Sequence, residues 1–373
     1  MMKYLNAGSL SFIIFILVVA FILYKDRKKI VFEGGMFLRR TESGVKWIEK
    51  IYERHKKFWK WYSTASLIFA PVAMMFGIYW IIENAYKILI GATKVGAGIV
   101  LPSPSSHVVI GSGYIFLPLW LWVIGIMSIV IPHELSHGLV SLSEKINVKK
   151  VGYAFFLFIP AAFVEPDEKK LKKAKPISKI KIYGAGSFAN FLFAATCLLI
   201  NMLIINAFFY NYGVSFSGLV NNSGAYNVSL NGTITHLNGM RVYDVQEFSK
   251  VMRNVTPGEY VSIVADNKTY KIKTMNDNGK TIIGISGVTT YKEARIPKTS
   301  GFLSFIMYVL SWLGILNLGV GIVNLLPIKP LDGGLIMQEY LKGKTKNYAV
   351  ISNIISIIFA AILLFSIIGP RIV

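Results

Sequence analysis

The chain of 373 residues is poor in cysteine, in acid and in histidine. Its single cysteine, Cys197, sits inside an apolar run, so an intrachain disulfide is excluded, and it reads as a small buried apolar residue. Charged residues make up 16% of the chain, against about a quarter in soluble domains. With 54% hydrophobic residues and a mean hydropathy of +0.53, this composition indicates a membrane protein. Only 19 acidic residues face 40 Lys and Arg, giving a formal net charge of +21. Such a balance can signal nucleic acid, but here the basic residues cluster in loops between apolar segments. They point to the positive-inside bias and to anionic lipid headgroups, with the bilayer as partner and no nucleic acid.

Apolar runs of about 20 residues suffice to span a bilayer. Six are expected: Ser9–Tyr24, slightly short and read as an anchor; Tyr62–Ile82, with a kink at Pro71; Ile115–Leu142; Ile182–Phe209; Gly301–Leu326; and Tyr348–Ile368. The loop 25–60 carries twelve Lys and Arg, the loop after the third span includes Lys145, Lys149, Lys150, Lys169, Lys170, Lys172, Lys173 and Lys175, and the loop before the sixth holds Lys342, Lys344 and Lys346. Loop 83–114 has only Lys87 and Lys94. The three basic loops share one side, which is therefore expected to be cytoplasmic in a multi-pass cell-membrane protein. In the first of them, Val45, Ile48, Ile51, Tyr52 and Trp59 recur at near-helical spacing. They suit either a helix on the inner leaflet or a solvated connector.

Residues 213–296 differ in composition. Alternating runs at Tyr260–Val264 and Tyr270–Ile272, turn signals of the Asn-Gly, Pro-Gly and Asp-Asn kind, and an amphipathic stretch from Val245 to Arg253 predict a small α+β domain. Its five Asn-x-Ser/Thr sequons, at Asn221, Asn227, Asn231, Asn254 and Asn267, fit a place outside the cell. The expected fold class is an α-helical polytopic membrane protein of about six spans with this extracytoplasmic α+β domain. Its divisions are 1–99 (anchor spans and basic loop), 100–209 and 299–373 (membrane core), and 210–298 (outer domain).

Against this apolar background, residues 133–137 read His-Glu-Leu-Ser-His. Histidines four apart project from one helical face and can share a metal, and neutral imidazole suits Zn²⁺. Glu134 lies beside them, where it can take a proton from an activated water. No charged residue occurs from Ile115 to Pro132, and ionisable groups at membrane depth are functional candidates. The third span runs inward, which puts both histidines roughly 10 Å from the cytoplasmic surface at 1.5 Å rise per residue. A catalytic zinc keeps three protein ligands. The other histidines, His55, His107 and His236, lie at the wrong depth, and the nearby carboxylates are Glu144, Glu165, Asp167, Glu168 and Asp332. Asp332 stands apart, because it follows the fifth span in a segment with two prolines before it and two glycines after it. A broken backbone at membrane depth must be buried or line a cavity. On spacing alone Asp332 could equally be a helix N-cap.

These features resemble the site-2 protease family, membrane-embedded zinc metalloproteases that cleave other proteins within or near their transmembrane helices. That family pairs HExxH with a later Asn-x-x-Pro…Asp-Gly segment, matched by Asn324–Gly333, and places Gly-x-x-x-Asn between, matched by Gly186–Asn190. Gly152–Pro166, with Phe158–Val164, is similar to its apolar hairpin, and Leu101-Pro102 looks like the branch with the eukaryotic members. The resemblance implies one Zn²⁺ held by His133, His137 and Asp332, with Glu134 as general base and Asn190 binding substrate backbone or the developing oxyanion. It also implies transmembrane protein substrates, and a PDZ-like outer domain through Gly232–Val242, Phe248 and Pro257-Gly258, although Asn231-Gly232 replaces the usual Gly-Asp pair. Two rivals are a pseudoprotease that binds membrane helices without cutting, disfavoured by the complete HExxH, and a metal transporter, disfavoured because spans one, two and six offer only Glu83.

Overall fold

The computed structural model describes residues 7–33, 35–156, 159–277 and 279–372, with no side-chain description for residues 7–9 and 11. Contacts divide the chain into two compact units, Met1–Leu198 with Val309–Val373, and Leu199–Tyr308.

The first unit opens with α1 (Ala7–Lys25), the hairpin β1 (Ile30–Glu33) and β2 (Met36–Thr41), α2 (Ser43–Arg54) and α3 (Lys56–Leu89). Helix α2 is the amphipathic stretch of the basic loop. Its apolar residues Val45 and Ile48 are buried, and Ile48 lies beside Gly138 and the HExxH helix, so protein rather than lipid covers that face. Helix α3 is longer than its expected span and continuous through Pro71.

Next come β3 (Ile99–Ser103), β4 (Val109–Gly111), β5 (Tyr114–Pro118) and α4 (Leu119–Ser143). The third span thus begins four residues later than expected. Ile115–Pro118 are strand, paired in parallel with Val100–Ser103, because Tyr-Ile-Phe-Leu suits a pleated surface and Pro118 stands just before the first helical residue. Strands β6 (Val148–Phe156) and β7 (Ile159–Pro166) form the expected apolar hairpin, although Phe158 of that motif lies outside the described residues. The sheet runs β1-β2-β6-β7, leaving β7 at its edge beside α4. Arg40 on β2 ties the sheet together through Glu33 (2.9 Å) and Glu165 (2.7 Å). Helix α5 (Glu168–Lys173) is capped by Asp167, and α6 (Pro176–Phe208) begins six residues ahead of the expected fourth span.

The second unit contains β8 (Phe209–Ser215), β9 (Gly218–Leu219), α7 (Gly224–Asn227), β10 (Ile234–Leu237), β11 (Met240–Arg241), α8 (Val245–Met252), β12 (Tyr260–Ala265), β13 (Lys268–Lys273), β14 (Met275–Asp277), β15 (Lys280–Ile282), β16 (Ile285–Ser286) and β17 (Thr289–Ala294). Strands and short helices fill residues 209–294, the α+β content expected there, within a compact unit of wider bounds. The main sheet is ordered β13-β12-β10-β8-β17, with β11 paired to β10. Asn238-Gly239 and Asp266-Asn267 both have positive φ at two-residue hairpin turns, which match the strand twist. Asp244 caps α8, and Phe248, Met252, Leu237, Ile263 and Ile272 share its core.

The chain returns through α9 (Ser300–Leu325), breaks at Leu326–Leu331, and continues as α10 (Asp332–Lys342) and α11 (Tyr348–Ile368). Pro327 and Pro330 prevent α9 from continuing. The turn is anchored where Lys329 N–H donates to Ser356 Oγ of α11 (2.7 Å). A side chain at Gly333 would collide with the carbonyl oxygens of Leu325 and Leu326, so this close approach requires glycine. Five described helices, α3, α4, α6, α9 and α11, are long and apolar enough to cross a membrane, and α1 supplies a shorter apolar stretch.

Candidate metal centre

Helix α4 carries His133 and His137 on one face, with ring centroids 4.7 Å apart. The first residue of α10 brings Asp332 to them. Its Oδ2 lies 3.3 Å from His133 Nε2 and 3.5 Å from His137 Nε2. Asp332 is not a cap: Leu331 holds the N-cap position, and Asp332 Oδ2 has no hydrogen-bond partner. The three ligand atoms fall within 4.8 Å of one another. A tetrahedral ion with bonds near 2.0 Å would hold ligand atoms about 3.3 Å apart, so the spacing fits zinc.

The other imidazole nitrogens decide which tautomer each ring adopts. His137 Nδ1 is 2.7 Å from the Ile182 carbonyl oxygen, which can only accept, so Nδ1 carries the proton and Nε2 keeps a lone pair for a metal. His133 Nδ1 is 3.2 Å from the side-chain amide of Asn190, which is fully buried and whose Oδ1 has no other partner. With the amide turned over, Oδ1 accepts from His133 Nδ1–H and frees Nε2 in the same way. Room for both rings comes from Gly186 on α6, where a Cβ would stand 2.5 Å from His137 Nε2 and 2.6 Å from His133 Nε2.

Glu134, between the histidines, points to β7, where Val164 N–H donates to its Oε2 (3.2 Å). Glu134 is therefore held by a backbone group of an edge strand. Packing behind α4 includes a polar contact: Tyr62 Oη contacts Ser136 Oγ (3.3 Å) and donates to the Ala185 carbonyl (3.1 Å).

A model for peptidase family M50 matches residues 121–366, which include every residue of this centre. The chain belongs to peptidase family M50. It is also 28% identical, over 332 residues, to an uncharacterized protein of Methanocaldococcus jannaschii, covering 85% of this chain and 81% of that protein. The M50 fold gathers four residues singled out from the sequence, His133, His137, Asp332 and, through its contact with His133, Asn190. It places Glu134 beside them.

Two participants were not legible in the sequence. The Ile182 carbonyl belongs to the backbone, which no residue letter announces. Tyr62 lies in a distant span. Past the end of α4, Glu144 accepts from Lys181 (2.8 Å), Ser178 (2.7 Å) and Ser63 (2.8 Å), fastening α3, α4 and α6. Burial opposes its ionisation, yet these hydrogen bonds outweigh burial and hold the carboxyl below its usual range. Glu144 was among the carboxylates weighed from the sequence as a third ligand; these contacts make it a brace between helices instead.

Proposed function

We propose that this M50 chain is a zinc endopeptidase that hydrolyses peptide bonds within or near the transmembrane helices of other membrane proteins. The observation that carries this reading is the closure of His133, His137 and Asp332 into one ligand set with Glu134 at its side. Zinc bound there would supply Lewis acidity, polarising a carbonyl and making water acidic enough to be deprotonated. The protein's own groups do the rest. Glu134 accepts the proton from the attacking water and delivers it to the leaving amine. Val164 N–H keeps the carboxylate oriented. Ile182 and Asn190 hold the imidazoles with Nε2 forward, which makes Asn190 a positioning residue for His133 instead of a direct contact of the substrate. The edge position of β7 offers an unwound substrate segment a backbone ladder beside the base.

The lysine-rich loops favour an orientation with the centre near the cytoplasmic face and the α+β unit outside, where a PDZ-like role in admitting substrates would be exercised. Zinc content of the purified protein, measured by mass spectrometry, tests the ligand set. The full-length protein should hold one zinc per chain, and Asp332→Ala should hold close to none. An Asp332→Ala protein that retains zinc as tightly as the parent refutes the assignment.

A further inference from the structure

Helix α6 turns one face to the centre, and four of its residues share that face: Lys179, Ile182, Gly186 and Asn190, at intervals of three, four and four. Three of them have been placed. The carbonyl of Ile182 holds His137, Gly186 admits both rings, and Asn190 holds His133. The fourth, Lys179, reaches across to α10, where its Nζ lies 3.1 Å from Glu339 Oε1. The two side chains are only 6% and 9% exposed, and Glu339 Oε2 has no hydrogen-bond partner.

Glu339 follows Asp332 by seven residues, as Gly186 follows Lys179. Seven residues are two helical turns less about 20°, an axial distance of about 10.5 Å. The helices run in opposite directions along this face. Glu339 meets Lys179 at one end, and Asp332 meets the imidazoles seated at Gly186 at the other. Between the two tie points, Ile336 and Met337 share an apolar cluster with Ile180 and Tyr183.

A buried ion pair is a poor device for stability alone, since desolvation offsets most of its attraction, whereas fixing register is its best-attested use. Here register has a chemical consequence. Asp332 is the one ligand that α4 does not carry, and it arrives on an eleven-residue helix after a broken turn. A slip of one residue would move it 1.5 Å along the axis and 100° around it. Metal–ligand distances tolerate about 0.2 Å. We propose that Lys179 and Glu339 are a positioning pair, a pin that sets the depth and rotation of α10 on α6 so that the Asp332 carboxylate completes the metal site. This inference rests on the zinc reading above.

The test uses full-length protein in detergent, with zinc affinity measured by competition with a chromophoric chelator, the visible spectrum of the cobalt-substituted protein, and the melting temperature of the metal-free form. The variant Lys179→Met with Glu339→Met removes both charges and leaves apolar bulk. It should melt no lower than the parent while its zinc affinity falls about ten- to a hundred-fold, the range seen when groups supporting metal ligands are lost, with an altered cobalt spectrum. Exchanging the charges, Lys179→Glu with Glu339→Lys, should restore most of the affinity. Parental zinc affinity and an unchanged cobalt spectrum in the double methionine variant would overturn the proposal. Should that variant fail to fold, Glu339→Gln decides in its place: weakened zinc binding supports the pin, and unchanged binding overturns it. A parent protein that binds no zinc would sink the metal-centre reading itself, a result distinct from either.

Discussion

Replacing Gly186 by alanine adds a single methyl group at the most crowded point of the centre. Its Cβ would stand 2.5 and 2.6 Å from the Nε2 atoms of His137 and His133, where ordinary contact begins at 3.4 Å. Both rings must therefore retreat by close to 1 Å, or α6 must move away. Neither ring is free to do so, since His137 is tied to the Ile182 carbonyl and His133 to Asn190. Overpacking of this kind costs about 1–3 kcal/mol. If that strain falls mainly on the metal-bound arrangement, zinc affinity drops about ten- to a hundred-fold at 1.36 kcal/mol per decade. Helical content should be unchanged. Gly319→Ala in α9 is the control, because a Cβ there meets nothing within 4 Å. Chelator competition measures zinc affinity in both variants. Equal zinc affinity in Gly186→Ala and the parent would refute the packing argument, and an equal loss in Gly319→Ala would show that the effect is not local.

Glu144→Gln should lower thermal stability by about 2 kcal/mol at neutral pH, since it weakens charge-assisted hydrogen bonds from three helical partners. The carboxyl's folded-state pKa lies below its unfolded value, so its contribution is present above the unfolded pKa of about 4.3 and is lost as pH falls through the lower folded value. The difference in melting temperature between variant and parent should therefore shrink in acid, and a difference that grows below pH 4 would contradict this sign. A cysteine introduced at Lys170 in a Cys197→Ser background should react with an impermeant maleimide only from the cytoplasm, and one at Asn227 only from outside; the reverse pattern overturns the orientation. Asn190→Ala should weaken zinc binding as well as proteolysis. A fall in turnover at unchanged zinc affinity would return Asn190 to the substrate-contacting role.

The HExxH helix was legible because charge is scarce in its surroundings, so His133, Glu134 and His137 stand out where a soluble helix would hide them. Asp332 was legible from the two prolines and two glycines around it, yet spacing could not separate ligand from cap; the distances to His133 and His137 do. Ile115–Pro118 read as helix because a short apolar run has no period that distinguishes a buried strand. Its partner, Val100–Ser103, is supplied by a loop whose Leu101-Pro102 stood out but whose pairing no local pattern announces. The apolar stripe of α2 was visible, but amphipathicity names no partner, and the faces that cover it come from α4 and the β6–β7 hairpin. The pairing of Lys179 with Glu339 spans 160 positions, a separation over which no local pattern operates.

The most direct test compares the parent with Glu134→Gln, each loaded with one zinc per chain, on a purified single-span substrate reconstituted with the enzyme. Glutamine keeps an oxygen for Val164 N–H and leaves the ligand set untouched, but it cannot take up a proton. The account predicts cleavage by the parent and none by the variant at equal zinc content. Cleavage by both, or an inert parent that nonetheless holds its zinc and binds the substrate, would contradict it.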